Sequence, residues 1–436
     1  MPFRGKNPLA LNPCPSVQSV AKLTGCWIDR AGSRLVILGR GCLRGDFIVD
    51  QRRASLLLLL IIYLGYISLG LPDGTLGVAW PAIYPELNLP IGLAGTIITI
   101  GTILTGSAGF ASGWIIAKFR TGPVVFVSGL LTAGGMFILS QAEGALWLYA
   151  ASVPLGIGAG AVDAGLNGYV ARHYSGRHMN WLHACWGIGA TSGPFFIGWA
   201  LGSGHGWRAG YLLISGVQAA LAVLFLLTLG LWNKVPERSF ADHHAAGGKV
   251  PTMPANSFAG WLSPFIFALY VAAESTIGVW AGTVLVVRRG FAPETAALCV
   301  AGFFGALTAG RIGVGFVIEH WGNRRTIAIG AGVAAIGIAG FAFAAVVPAA
   351  VFTLALVGLG MAPIYPALMH EVPRRFAPAA VQTVIGRQSG SAAFGAAVVP
   401  AVAGWFAQHS ISTVPWIAFV VWLGMMACIR HLNRIT

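Results

Sequence analysis

The chain of 436 residues is 56% hydrophobic and only 9% charged, with a mean hydropathy of +0.75. Soluble domains carry about 25% charged residues, so this composition excludes an ordinary soluble globule and indicates a polytopic membrane protein. The net charge of +14 does not indicate nucleic acid as a partner, because the basic residues are distributed as membrane topology requires.

Residues 1–53 form a basic tail with no sustained period and no apolar core of a signal peptide; they are expected to be disordered. From Ser55 to Ile429 hydrophobic stretches of about 17–25 residues recur, each long enough to cross a bilayer. They read as twelve spans. Six lie in an N-terminal bundle, 54–232, and six in a C-terminal bundle, 259–431. The charged, Pro-containing stretch 233–258 reads as the cytoplasmic linker between them, and its His243-His244 pair reads as a solvated loop rather than a metal site. With the N-terminus inside, 22 basic residues fall on the inner side and three, Arg208, Arg288 and Arg289, on the outer. Arg311 and Arg387 are left near membrane depth. This bias predicts a multi-pass protein of the cell (inner) membrane with both termini cytoplasmic. The six cysteines show neither metal-ligand spacing nor a disulfide framework.

Asp73, Asp163 and Glu274 stand inside apolar spans. A carboxylate at membrane depth costs roughly 2.5–3.5 kcal/mol on insertion scales unless it faces a wet cavity or a partner, so each marks a candidate site. Asp163 is the leading candidate for proton coupling, its alternative being a structural acid hydrogen-bonded to a neighbouring helix. Asp73 follows Pro72 and precedes Gly74, a sequence that breaks a helix. Its expected roles are binding a substrate hydroxyl, sharing the proton, or capping the broken segment. Glu274 either lines the cavity or pairs as a gate with Arg311 of the eighth span, a cation that needs a partner at that depth. His183, which titrates near neutrality, is a candidate relay or a hydrogen-bonded interface residue. Asn167, Trp186, Trp280, Tyr365 and Gln388 are candidate contacts for a polyhydroxylated substrate, since aromatic faces pack on C–H surfaces and amides and phenols meet hydroxyls.

The halves repeat. Gly156-Ile157-Gly158 recurs as Gly358-Leu359-Gly360, and at the same offset Val170-Ala171-Arg172-His173-Tyr174 recurs as Val372-Pro373-Arg374-Arg375-Phe376. Trp80 and Trp280 fall at matching points of the first and seventh spans. Parallel six-span repeats place a substrate site between the halves near the midplane.

This organisation resembles the major facilitator superfamily, and within it the fucose permease branch of sugar symporters. The resemblance rests on Gly158 to Asn167 in the fourth span, with Asp163 followed four residues later by Asn167. It also rests on the fifth-span opening Asn180 to Ala190, on Tyr270 to Glu274 and Trp280 in the seventh span, on Gly310-Arg311, and on Ala362 to Pro366. It covers nearly the whole chain after the tail. It implies an all-α membrane fold of twelve helices in two pseudo-symmetric bundles, and secondary active transport of a sugar or polyol by alternating access. The chain departs from the branch in three places. Asp73 lies farther from Pro81 than the pattern has it, with Gly77 in the expected place, and His183 and Glu274 stand where the pattern has glutamine. The stretch Gly315 to Arg325 is similar to the superfamily's loop motif, which implies a latch between Glu319 and Arg374 at the inner end of the tenth span. In the first half Gly113 is kept but Ala117 stands where the acid is expected.

No phosphate-binding Gly-x-x-x-x-Gly-Lys-Ser/Thr loop, catalytic triad or metal cluster is visible, so an ATP-driven pump or membrane enzyme is not expected, nor a cofactor or metal. The expected function is proton-coupled import by a monomer, with sodium the alternative coupling ion. The competing readings are proton-driven efflux of small amphipathic compounds and a non-transporting membrane sensor.

Overall fold

The computed structural model describes residues 40–73, 75–90, 93–236, 251–291, 293–407 and 409–436, less the side chains of 40–52, 81, 293–294 and 297. Most of the tail and the His243-His244 stretch of the linker therefore lie outside the described residues. Leu58–Thr436 is one compact unit; Met1–Leu57 clusters separately.

The described residues are helical, with no strand among them: α1 Arg40–Gly70, α2 Thr75–Glu86, α3 Leu93–Phe119, α4 Thr121–Ser140, α5 Ala145–His173, α6 Gly176–Gly202, α7 Gly206–Leu227, α8 Phe258–Thr283, α9 Pro293–Trp321, α10 Asn323–Phe343, α11 Val347–Met361, α12 Ile364–His370, α13 Val372–Arg375, α14 Pro378–Ala407 and α15 Val414–Ile435. The first span is α1 plus α2, broken between them, and the tenth is α11 plus α12. Eleven stretches are long and apolar enough to cross a membrane. The remaining expected span is α6. Its 27 residues give a length of about 40 Å at 1.5 Å per residue, enough to cross. Its hydropathy falls short because it carries Arg177, His178, Asn180, His183, Thr191 and Ser192.

The break in the first span has a traceable cause. Pro72 has no N–H to give to the Ser68 carbonyl four residues back. Gln218 of α7 supplies that bond instead, Nε2 donating to Ser68 O at 2.7 Å, while its Oε1 accepts the Ser68 hydroxyl. The chain turns through Asp73 N to Gly70 O at 3.0 Å and Thr75 N to Pro72 O at 3.3 Å, with Thr75 Oγ1 also on Pro72 O at 2.7 Å. Beside the break in the tenth span, the Met361 carbonyl accepts the Tyr270 hydroxyl at 3.0 Å. In lipid such freed groups must be satisfied inside the protein, and here they are.

The repeated glycines do the same job twice. Gly156 sits where a Cβ would come within 2.6 Å of Gly101 O of α3, and Gly358 is seated the same way against Phe303 O of α9. Gly158 faces α4 at Ser128 O, and Gly360 faces α10 at Gly330 O and Ala334 N. The fourth span therefore packs on the second and third as the tenth packs on the eighth and ninth. Small residues of this kind let membrane helices approach backbone to backbone. Across the halves, Gly109 and Gly113 of α3 meet Gly390 and Thr383 of α14, and Trp181 of α6 donates to Ile312 O of α9 at 3.3 Å. Arg387, read from sequence at membrane depth, reaches Ala255 O at 2.5 Å and Asn256 Oδ1 at 2.8 Å, outside the seventh span.

Gly156→Ala should lower the thermal midpoint of the purified protein in detergent, since overpacking costs about 1–3 kcal/mol. Gly216→Ala, where nothing lies within 4 Å, should hold or raise it, because alanine gains about 0.5–1 kcal/mol over glycine within a helix. Equal midpoints for the two variants would overturn this packing assignment.

Candidate functional site

A cavity of about 570 Å³ lies between the halves, lined by α1, α2, the break between them, α3–α6, α8, α9, α12 and α14. Its apolar wall runs through Leu76, Ile97, Leu139 and Leu148. Ile97, Leu139 and Leu148 stand at the ends of their helices away from Lys118, Arg120 and Arg172, so the cavity extends from the break beside Leu76 toward that end of the bundle.

All three acids singled out in the sequence line this cavity, with His183, Trp186, Arg311 and Tyr365. They form two chains of contacts. In the first, Asp163 and Asn167 share one face of α5 because they are four residues apart. Asp163 Oδ1 accepts the Tyr66 hydroxyl at 2.9 Å and Asn167 Nδ2 at 3.0 Å. Asn167 Oδ1 pairs with His183 Nε2 at 3.1 Å. The carboxylate fixes which way the amide points, so the amide oxygen faces the imidazole and His183 Nε2 carries the proton. The His183 ring stands edge-on to Tyr66 and Tyr365, with centroids 5.3 and 4.8 Å away.

In the second chain, Asp73 projects from the break in the first span into the cavity, and its Oδ2 accepts Trp186 Nε1 at 2.8 Å. The Trp186 ring centroid lies 5.9 Å from the Arg311 guanidinium. Arg311 Nη2 in turn stands 4.0 Å from Glu274 Oε2. At that separation the pair attracts by charge but makes no direct hydrogen bond. Arg311 is 4% exposed, and its Nε has no hydrogen-bond partner among the described residues. The site therefore holds buried donor capacity beside two carboxylates that face open space.

Other expected contacts are placed elsewhere. Asn167 is fully buried behind Asp163 rather than on the wall. Trp280 donates to Pro400 O at 2.9 Å and covers Gly404, and Gln388, fully buried, donates Nε2 to Ser263 Oγ at 2.7 Å. Both residues clamp α8 to α14 instead of lining the cavity, because they occupy helix faces turned toward a neighbouring helix. Sequence reasoning missed Tyr66 and Ser389, which do line it; an isolated hydroxyl in an apolar span carries no signal of which way it faces.

The arginine-rich end is closed. Arg172 Nη1 of α5 donates to Gln382 Oε1 of α14 at 3.0 Å, and Gln382 Nε2 donates back to Ala164 O at 2.9 Å. His370 Nε2 donates to Tyr174 O at 3.2 Å. Glu319 and Arg374, expected as latch residues, both lie here: Glu319 Oε1 accepts the Arg177 amide at 3.0 Å, and Arg374 Nη1 donates to Glu371 Oε1 at 2.8 Å. Glu371, which the sequence reading passed over, is the hub. It is 3% exposed and also meets Asn323 Nδ2 at 2.9 Å, Arg324 Nε at 3.3 Å and Arg375 Nη2 at 3.4 Å. Burial alone pushes its carboxyl up, but Arg375 and Arg374 outweigh that and hold it at about 2. The same burial lowers Arg375 from its ordinary value, while Glu371 pulls it back.

The Major Facilitator Superfamily model matches residues 62–369 and again 265–434. An uncharacterized MFS-type transporter of Yersinia pestis is 24% identical over 335 residues, covering 73% of this chain and 84% of that protein. Among solved structures, the E. coli fucose:proton symporter aligns with a TM-score of 0.68 at 15% identity, over 88% of this chain and 99% of that one. A proton:xylose symporter bound to 6-bromo-6-deoxy-D-glucose aligns with a TM-score of 0.66 at 14% identity, over 84% and 93%.

Glu371→Gln leaves three guanidinium groups around a neutral amide, and breaking a buried pair costs about 3–5 kcal/mol. The thermal midpoint of this variant should fall by several degrees. Because the folded value of Glu371 lies below the ordinary 4.5, its stabilisation is present in full above that value and is lost only as pH falls through about 2. Accessibility of a cysteine introduced at this end should therefore not change between about pH 5 and 8 through this group; a labelling rate that rises steeply across that window in wild type and not in Glu371→Gln would contradict the assignment.

Proposed function

The chain belongs to the Major Facilitator Superfamily, and from that membership we propose that it is a secondary active transporter that imports a sugar or related polyol together with protons. The observation that carries the reading is the juxtaposition of Asp73, Glu274, Trp186 and Arg311 around one cavity, with Asp163 and its network in the same wall. The volume of about 570 Å³ lies in the range of small-molecule sites, about 300–1,000 Å³. A polyol needs acceptors and donors on several sides together with an aromatic face. Asp73 and Glu274 accept hydroxyl hydrogens, Arg311 donates, and Trp186 and Tyr365 offer rings to the C–H surface of a pyranose. The fucose and xylose symporters named above act on substrates of this chemistry.

Asp163 is the proton site and His183 its relay partner through Asn167. Asp163 Oδ1 is committed to Tyr66 and Asn167, which leaves the second oxygen to take a proton. Positive-inside bias puts the arginine-rich end in the cytoplasm, so the cavity faces outward and the closure around Glu371 is the inner gate. The bundles 54–232 and 259–431, joined by the linker 233–258, rock about the midplane. Substrate and proton load from outside, and neutralising Asp163 lowers the cost of turning the site inward.

Proteoliposomes given an inward proton gradient and a panel of radiolabelled fucose, xylose and glucose test this. Wild type should accumulate at least one sugar. Asp163→Asn should lose gradient-driven accumulation by more than tenfold while still exchanging substrate, and Glu274→Gln should raise the half-saturation concentration about tenfold, as loss of a charged hydrogen bond predicts. Concentrative, pH-dependent uptake that survives in Asp163→Asn would sink the proton-site assignment. Accumulation driven by an outward gradient would mark an exporter, and binding without flux a sensor.

A further inference from the structure

The cavity is lopsided. The second half gives it Val271, Glu274, Arg311, Tyr365 and one face of α14 from Ser389 to Ala396, and the rest of its wall belongs to α1–α6 of the first half. The repeat shows where the extra space comes from. At a constant offset of 202 residues Gly156 corresponds to Gly358, and the carbonyls they meet, Gly101 O and Phe303 O, keep that offset. Gly158 and Gly360 meet Ser128 O and Gly330 O, again 202 apart. The packing therefore matches α3 with α9, α4 with α10 and α5 with α11.

At matched places the two halves carry side chains of different size. Gly101 corresponds to Phe303, Thr105 to Leu307, Ser152 to Leu354 and Ala159 to Met361. The four larger residues are at most 1% exposed and fill the core of the second half. Their four smaller counterparts all line the cavity. The missing side-chain volume leaves a hollow along α3 and α5 of the first half.

Gly101 is the position that packing does not explain. Gly106, Gly109 and Gly113 of the same helix are pressed against α14, where a Cβ would come within 2.8, 2.8 and 2.9 Å of Phe394, Gly390 and Thr383. At Gly101 a Cβ would meet nothing within 4 Å. Glycine inside a helix is destabilising relative to alanine, and what it adds here is space. Gly77 of α2, also on the wall, is open in the same way.

The wall of this region is apolar. Leu76, Ile98, Leu155 and Ala159 line it, and such a surface receives apolar groups from water. Asp73 precedes Gly77 by four residues, so the polar and apolar parts of the cavity adjoin at α2. Because the hollow is built within one bundle, rocking of the halves carries it along.

We propose that the hollow takes an apolar aglycone, so that the transported compound is a glycoside with an apolar substituent rather than a free sugar. This rests on the sugar-transport reading and narrows its substrate class. A glycosidic link leaves the other hydroxyls of the ring free for Asp73, Glu274 and Arg311, while the substituent extends toward Gly101 and Thr105.

Competition in proteoliposomes tests this. Phenyl and methyl glycosides of fucose, xylose and glucose, in both anomers, compete with uptake of the radiolabelled parent sugar. For at least one sugar the phenyl glycoside should half-inhibit at a concentration about tenfold lower than the methyl glycoside, which has the linkage without the apolar bulk. Gly101→Phe and Thr105→Leu, which give the first half what the second half carries, should each abolish that advantage. Thr105→Leu carries the test if Gly101→Phe does not fold, as judged by its thermal midpoint. Sugar uptake with equal inhibition by phenyl and methyl glycosides, or an advantage that survives in a folded variant, overturns the aglycone site and leaves the sugar reading standing. No uptake of any sugar, with no shift of the midpoint by any glycoside, overturns the sugar reading and the aglycone site together.

Discussion

Every polar group placed at membrane depth must find its partner inside the protein, and this constraint organises the whole molecule. Pro72 frees a carbonyl, and Gln218 is spent on it. The break that results carries Asp73 into the cavity, where the Trp186 indole meets it. Asp163 is surrounded by a tyrosine and an amide, the amide by a histidine, and the histidine ring by that same tyrosine and by Tyr365. None of these residues is isolated. Each is held by a partner on another helix or one turn away, and together they define a wall with a fixed pattern of donors and acceptors.

The repeat supplies the frame, and departures from it supply the chemistry. The paired glycines Gly156/Gly358 and Gly158/Gly360 set equivalent helix contacts in both halves. Charge is not repeated in the same way. Glu371 gathers three arginines at the closed end of the second half, while the first half carries Tyr169 at the matching position. Asp163 belongs to the first half, and its counterpart by the same offset is Tyr365 of the second, which also faces the cavity. Both halves carry acids on the cavity, Asp73 and Asp163 in the first and Glu274 in the second, but only the second half has a buried carboxylate, Glu371, gathering arginines at the closed end.

Much of this was legible in the sequence, because intramembrane acids are rare and expensive: Asp73, Asp163 and Glu274 could be picked out from composition alone, and all three line one cavity. The apolar spans and the glycine repeat were legible for the same reason, being long-range patterns. Facing direction was not. Trp280 and Gln388 have the right chemistry for a sugar but turn toward α8–α14 contacts. Tyr66 looked like one more aromatic in an apolar helix, and its role emerges only when α5 brings Asp163 to within 2.9 Å of its hydroxyl. Glu371 sits among arginines just past the end of a span, where a charge run normally signals a solvated loop; only packing shows that it is buried.

The polarity of α6 has a consequence for how the protein is made. This helix is too polar to count among the eleven apolar spans, and several of its polar groups are satisfied by α9, a helix of the second half. Arg177 reaches Gly315 O and Glu319, and Trp181 reaches Ile312 O. During synthesis α6 leaves the ribosome well before α9 exists. Its insertion must therefore lean first on α5, through His183 and Asn167, and its final seating waits until the eighth span has entered the membrane. The first half is completed by the second, so the order of translation becomes an order of folding.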